Sequence, residues 1–467
     1  MANRRKASRR KVVRQRGLEV IRGDVAGVDL GARHHWVCGP ALESGEPNVK
    51  CIGTTTAELE AVCSWLIEQG VTSVAMESTS VYWIPLYEML ESRGVKAVLV
   101  NARQLHGVPG RKTDMIDCQW IQKLHRCGLL SGSFRPDEAI CKLRAVRRQR
   151  SNLSAERTRA VQWMQKALDQ MNVQVHHAVT DLTGSTGMSI VRAIVDGERD
   201  PQRLAELRDP RCKKSVSQIA EHLRGHWRDE HLFNLKMALD LYDHLARSLE
   251  TYDVEITRLI KEMQPPERGE QPLAPHPKRT KEKAIRARGE QPLRTELWRL
   301  TGVDATHVDG ISPNAALDVI SEVGFDLGAF PTERHFVSWL RLTPPMNISA
   351  GKPLKKRRNG AAAARAAQTF RLAAVAVQRT QTALGAYCRR VARRKGVKVA
   401  IFATARKIAT LFYRMLRFGQ DYLDEGAAAY EARFAQRRLQ AIISSAHQLG
   451  YRLVPLLEPD EAVGVSA

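Results

Sequence analysis

Residues 24–130 alternate between strand and helix signals, and this alternation restricts the fold more than any other feature of the chain. Asp24 to Leu30 is a short apolar run. Gly31 and Ala32 mark a turn, His35 to Cys38 resumes a strand pattern, and Val49 to Ile52 gives a third strand. Thr55 to Gln69 has helical spacing, with Leu59, Val62, Cys63 and Leu66 on one face. Val71 to Met76 reads as a fourth strand and Ile84 to Ser92 as a helix stopped by Gly94. Lys96 to Val100 is a fifth strand. A loop with Gly107, Pro109 and Gly110 leads to a helix starting near Thr113. The order β-β-β-α-β-α-β-α is that of the α/β ribonuclease-H-like fold.

That order makes strands one and four neighbours and packs the last helix beside their ends. Asp29 closes the first strand, Glu77 follows the fourth, and Asp114 and Asp117 lie three residues apart on one helix face. Four acids far apart in sequence are therefore expected to converge. Crowded carboxylates repel one another unless divalent cations neutralise them. Two Mg2+ ions (or Mn2+) about 4 Å apart can hold the attacking and leaving oxygens of a phosphate displacement. The alternative for each acid singly is a solvated loop or cap residue. Lys112, beside Asp114, is read either as a phosphate contact or as a surface lysine.

Charge points to the same substrate class. The chain has 73 Lys and Arg against 50 Asp and Glu, a net +23, which calls for a polyanionic partner. Nucleic acid is the commonest. A membrane surface is the weaker alternative, since no long amphipathic basic helix stands alone, and no apolar run reaches the roughly 18–20 residues that span a bilayer. Residues 1–23 are basic with no apolar segment behind them, so they read as a disordered arm rather than a signal peptide. The 8 cysteines are scattered without paired Cys-x-x-Cys motifs, which argues against structural zinc or a disulfide framework and for the cytoplasm.

Beyond a domain at 24–135, residues 136–263 read as a helical region. A charged helix is expected at 138–170 and a second long helical stretch at 215–263, able to pair as a coiled coil or as ordinary bundle helices. Residues 264–294 hold six prolines and the hexapeptide Arg-Gly-Glu-Gln-Pro-Leu twice, at 268–273 and 288–293, and are expected to be an unfolded linker. A helical basic domain is expected at 295–435, with a tail at 436–467. The stretch from Val308 to Gly324 resembles a helix-hairpin-helix element, whose Gly-bounded turn would offer N–H groups to phosphate.

From Arg334 through Gln420 there is no Asp or Glu, yet there are 20 Lys and Arg. A solvated helix face usually mixes signs, so a one-sign stretch this long argues for a phosphate-binding surface. Within it lies Asn347-Ile-Ser349-Ala-Gly-Lys352, followed by Lys355, Lys356, Arg357 and Arg358. A serine among arginines can attack a phosphodiester, because guanidinium groups stabilise the pentacovalent charge. The competing reading of Ser349 is a turn or cap residue. An Ala-rich helix is expected from Ala361 to Val377, carrying Arg365 and Arg371, and another from about Val399 to Phe418. Tyr413 is a rival nucleophile in principle, but its apolar helix pattern reads as core.

Three segments then carry a family resemblance. Glu-Ser-Thr-Ser-Val-Tyr-Trp (77–83), Val-Pro-Gly-Arg-Lys-Thr-Asp-Met-Ile-Asp (108–117), and Phe-Val-Ser-Trp-Leu (336–340) followed by Ile-Ser-Ala-Gly-Lys (348–352) resemble the DEDD transposases of the IS110 insertion-sequence family. The resemblance runs from about Val25 to Tyr430. It implies a RuvC-like N-terminal domain, a helical coiled-coil insert and a mainly α C-terminal transposase domain. Its four metal acids fall on Asp29, Glu77, Asp114 and Asp117, and its catalytic serine on Ser349. It further implies a covalent link from the serine to a DNA strand end, with the metal site supplied by a partner subunit of a homodimer or homotetramer. A structured guide (bridge) RNA would pair with donor and target double-stranded DNA, placing the protein in the bacterial cytoplasm at the nucleoid. One departure is that Ser349-Ala350-Gly351 stands where the family often has Ser-Gly-Gly. If positive φ is needed there, Ala350 strains the loop by about 1 kcal/mol.

The rival readings are a Holliday-junction-resolvase-like metal-dependent endonuclease using the four acids alone, and a nucleic-acid-binding protein without catalysis. An actin-like kinase, suggested by Val28-Asp29-Leu30-Gly31, lacks a second phosphate loop of the expected kind and leaves the basic C-terminal region unexplained.

Overall fold

The computed structural model describes residues 19–78, 80–101, 105, 113–265, 272–343, 365–419 and 424–454, with the backbone of 348–349, 352–353 and 364. The chain divides into two compact units, residues 1–135 and 136–467.

In the first unit, strands β1 (Val25–Leu30), β2 (His35–Cys38), β3 (Val49–Ile52), β4 (Ser73–Glu77) and β5 (Lys96–Val100) form one sheet in the order β3-β2-β1-β4-β5. β1, β2 and β3 are antiparallel, whereas β4 and β5 run parallel to β1. Helices α1 (Thr56–Glu68), α2 (Trp83–Ser92) and α3 (Asp114–Arg126) follow in the expected order. The topology is compatible with a ribonuclease-H-like, RuvC-like domain. Thr55 and Glu58 close a capping box at the start of α1, and the helix then buries Leu59, Val62, Cys63 and Leu66. Side chains alternate across a pleated sheet. Ala26, Val28 and Leu30 of β1 and Val74 and Met76 of β4 therefore join α1 and α2 in the main core. Gly27 and Asp29, with Ala75 and Glu77, take the opposite face, where Ala75 and Val100 pack on Ile121 of α3. Of the expected N-terminal arm, residues 1–18 lie outside the described residues. Ile21 and Arg22 donate their N–H groups to the Arg126 carbonyl at 2.9 and 3.0 Å, so the arm's last residues are tied to the end of α3.

In the second unit α4 spans Glu138–Gln170, as the sequence predicts. The second stretch differs from expectation: it breaks into α8 (Val216–His222) and α9 (Asp229–Glu262), because the chain between them turns to donate the His226 N–H to the Met171 carbonyl at 2.7 Å. α4 and α9 pack side by side. Between them α5 (Val175–Ala178), α6 (Ser185–Val195), α7 (Pro201–Glu206) and α8 close a small core around Leu168, Ile190, Ile194, Leu204 and Leu235.

The stretch expected as an unfolded linker folds in part. It contains α10 (Arg279–Ala287) and the start of α11 (Gln291–Thr301). Polar pairing achieves what its apolar content does not. Arg294 is buried and donates to Asp304 Oδ2 at 2.9 and 2.6 Å, and His276 Nε2 lies 3.1 Å from the Thr306 carbonyl. Pro292 occupies the first turn of α11, where a missing N–H costs nothing. Residues 266–271, most of the first hexapeptide copy, lie outside the described residues.

The chain continues through a 3-10 turn (Ala305–His307), α12 (Pro313–Val323) and α13 (Glu333–Trp339). A two-residue hairpin, β6 (Ile348–Ser349) with β7 (Lys352–Pro353), precedes α14 (Ala364–Val377), α15 (Ala383–Lys395), α16 (Val397–Phe418) and α17 (Gly426–Gln448). The core here is aromatic, with Phe336 packed against Phe330, Phe370 and Tyr413, and Phe370 against Phe412. α15 is absent from the sequence reading, and α17 runs well into the expected tail. The helix-hairpin-helix expectation is corrected. Gly310 has φ +85°, and a Cβ there would lie 2.6 Å from the Ala373 carbonyl oxygen, so the turn is pressed onto α14. The Ile311 N–H binds the Val308 carbonyl and the Ala315 N–H binds Ser312 Oγ, so these donors serve the fold instead of a phosphate.

Candidate metal centre and basic helices

Backbone packing builds the acid site. A Cβ on Gly27 would stand 2.3 Å from the Gln122 nitrogen and 2.6 Å from the Cys118 carbonyl oxygen. Only glycine lets α3 lie this close on β1. From Gly27 to Asp29 the strand advances roughly 6–7 Å at about 3.3 Å per residue. Stepping back from residues 118–122 to 114–117 along α3 covers a similar distance at about 1.5 Å per residue. The first turn of α3 thus lands over Asp29. Thr113 caps that turn, its Oγ1 accepting from the Ile116 N–H at 3.3 Å.

The result is a group of three carboxylates: one oxygen each from Asp29, Asp114 and Asp117 lies within 4.8 Å of the others. Asp29 and Asp117 are half-buried and Asp114 is exposed. Glu77 ends β4, beside β1, and stands outside this close group. Its charge nevertheless reaches Asp29. Burial, then repulsion from Asp114, Asp117 and Glu77, pushes the Asp29 carboxyl up to about 6, against a smaller lowering by the Leu30 N–H. Three hard oxygen donors this close together suit a divalent cation such as Mg2+ or Mn2+.

A second group, His276, Asp304 and His307, is also compact. Its Asp304 and His276 are already engaged. Asp304 Oδ2 is held by Arg294, Asp304 Oδ1 accepts from the Thr306 N–H and hydroxyl, and His276 Nδ1 accepts from the Lys278 N–H at 3.1 Å. Arg294 already supplies the positive charge a metal would bring. The sequence reading missed this knot, whose partners lie up to 31 residues apart in sequence.

The backbone around Ser349 forms the β6–β7 hairpin, with Ser349 opposite Lys352. Lys112, Ala350, Lys355, Lys356, Arg357 and Arg358 lie outside the described residues. Arg365 is exposed on α14, and Arg371 is half-buried with its guanidinium 5.6 Å from the Phe402 ring centre. Tyr413 is 1% exposed and donates its hydroxyl to the Phe330 carbonyl at 2.7 Å, a core role. The one-sign stretch is partly balanced from outside: Arg414 pairs with Glu333 at 2.5 Å and Arg417 with Asp326 at 3.5 Å. Arg379, Arg393, Arg394, Lys395, Lys398 and Arg406 stay exposed.

Two segments of the sequence match families of transposases. Residues 26–173 match the DEDD transposase family of IS110 elements, and residues 303–389 match the transposase family IS116/IS110/IS902. The chain belongs to the IS110 family of insertion-sequence transposases, enzymes that act on DNA. No curated protein sequence matches it. Among the described residues, no helix is long and apolar enough to cross a membrane.

Proposed function

We propose that the protein is a site-specific DNA recombinase that moves an insertion sequence through a metal-assisted, serine-dependent reaction. The observation that carries this reading is the carboxylate group of Asp29, Asp114 and Asp117. Asp29, Asp114, Asp117 and Glu77 would hold Mg2+ or Mn2+, which would supply Lewis-acid stabilisation of the phosphate undergoing displacement. Asp29, half-buried and crowded, would bind a cation in competition with a proton. Ser349 is the nucleophile, forming a phosphoester to one DNA strand end as the 3′ or 5′ oxygen leaves. Lys112, Lys352, Lys355, Lys356, Arg357, Arg358, Arg365 and Arg371 serve the nucleic-acid backbone. The protein acts at the nucleoid as a homodimer or homotetramer on donor and target DNA. A structured RNA guides it, and the paired helices α4 and α9 form a coiled-coil arm.

The test uses the full chain with element-end DNA. Ser349→Ala is expected to abolish strand transfer and any protein–DNA adduct, and Asp114→Asn to abolish cleavage. Cleavage that survives Ser349→Ala would identify a resolvase-like endonuclease instead. DNA processing unchanged in Asp114→Asn would remove the metal site from the reaction. Absence of a discrete copurifying RNA would end the guided part alone.

A further inference from the structure

α17 carries a heptad repeat on a face that its own unit leaves uncovered. Apolar residues stand at Ala428, Ala432, Ala435, Leu439, Ile442, Ala446 and Leu449, spaced four and three in unbroken alternation. This is the period of a helix that winds around another helix. None of the seven is buried, and Leu439, Ile442 and Leu449 are 50%, 43% and 75% exposed. The helix is anchored through a different face. Tyr430 is buried with Ala383 and Ala386 of α15, and the Arg390 guanidinium sits 3.7 Å from the Phe434 ring centre. At about 100° per residue, the Tyr430/Phe434 face lies roughly 130° around the helix from the heptad seam. α15 therefore holds α17 with the seam turned away from the packed helices.

We propose that α17 is a self-association helix that pairs antiparallel with α17 of a second copy of this chain. The proposal rests on the functional reading above, whose oligomer it supplies with a surface. Knobs spaced at a 3.5-residue repeat need holes of the same period, and a second α17 offers them. The seam is self-complementary about a two-fold axis between Leu439 and Ile442. Leu439 then meets Ile442 of the other copy, Ala435 meets Ala446, and Ala432 meets Leu449, small against large at the ends. Glu431 of one copy comes to the end where Arg452 of the other emerges. The seam itself is uncharged, and Glu431 and Arg438 flank it with opposite signs. A polyphosphate would find no one-sign surface there.

The experiment is sedimentation of the nuclease-treated full chain at high salt, over a concentration range of about a hundredfold, so that mass action is visible. The wild type is expected to double in mass as concentration rises. Leu439→Glu/Ile442→Glu is expected to lose that doubling and to show half the wild-type mass at the highest concentration, whether the wild type reaches a dimer or a tetramer there. Mixing it with Leu439→Lys/Ile442→Lys is expected to restore the larger species. A wild type that stays monomeric at the highest concentration, or a Glu variant with the wild-type mass profile, overturns the proposal. Mn2+ binding is measured on the same samples. Its loss in the wild type would sink the functional reading and leave the mass result standing, whereas intact binding with unchanged mass sinks the pairing alone.

Discussion

The two units each concentrate charge of one sign, and they do so by different means. In the first unit three carboxylates are brought together by backbone packing of α3 on Gly27, and two of them raise the Asp29 carboxyl by repulsion. In the second, cations crowd along helices, yet many are already matched. Arg147 donates to Asp318 at 2.7 Å, Arg148 grips Glu322 at 2.8 and 2.6 Å, and Arg150 pairs with Asp253. The difference separates structural charge from charge reserved for a ligand. The arginines of α4 read as a basic helix in sequence, but they bind α12 and α9. On the proposed reading, the cations left exposed on α14 to α16 serve phosphate, and the acids crowded at Asp29 serve metal.

Gly27→Ala should show the largest effect. Its Cβ meets backbone, which cannot swing aside, so unfolding experiments should register a loss of roughly 1–3 kcal/mol, with Mn2+ affinity falling as α3 is displaced. Stability and metal binding both at wild-type level would break the claim that packing builds the site. Glu322→Ala should come next, costing about 1–3 kcal/mol in a denaturant titration, because it removes the nearly buried carboxylate that Arg148 grips with two hydrogen bonds. Replacing Arg393, Arg394 and Lys395 together by Ala should leave stability within about 0.5 kcal/mol of wild type. The same variant should weaken DNA binding and flatten its salt dependence by up to about three phosphate contacts. If the two sets behaved alike, the distinction between spent and reserved charge would fail.

The smallest effect is in pH. With its carboxyl raised to about 6, Asp29 binds a proton in the folded state at pH values where the unfolded chain, near 3.9, has lost it. Metal-free protein should therefore gain stability as pH falls through about 6, while Mn2+ affinity declines over the same window because the proton competes. Calorimetric melting with and without Mn2+ would reveal both trends; an affinity flat across that window would contradict the assigned crowding.

Much of the first unit was legible because its signals are local. Strand and helix periods, the Thr55 cap and the Gly94 stop lie within a few residues of what they control. The convergence of Asp29 with Asp114 and Asp117 followed from strand order alone, although Glu77 stands slightly apart from the close group. The remainder depends on distant partners. Arg294 and Asp304 fold a Pro-rich segment that composition marks as unstructured, and Ala373 converts a Gly-bounded turn from a phosphate site into packing. α15 hides because its apolar face is made of Ala, Gly and Cys beside a single Leu. The seam of α17 falls across the boundary between the expected basic domain and the expected tail, and its exposure emerges only from the fold.

On the proposed reading, the repelling acids on α3 and β1 bind divalent cations. Electron paramagnetic resonance of Mn2+ titrated into the full-length protein tests this most directly. The account predicts saturable Mn2+ binding that Mg2+ displaces and that both Asp29→Asn and Asp114→Asn abolish. Binding of the same strength in those variants, or none in the wild type, would contradict it.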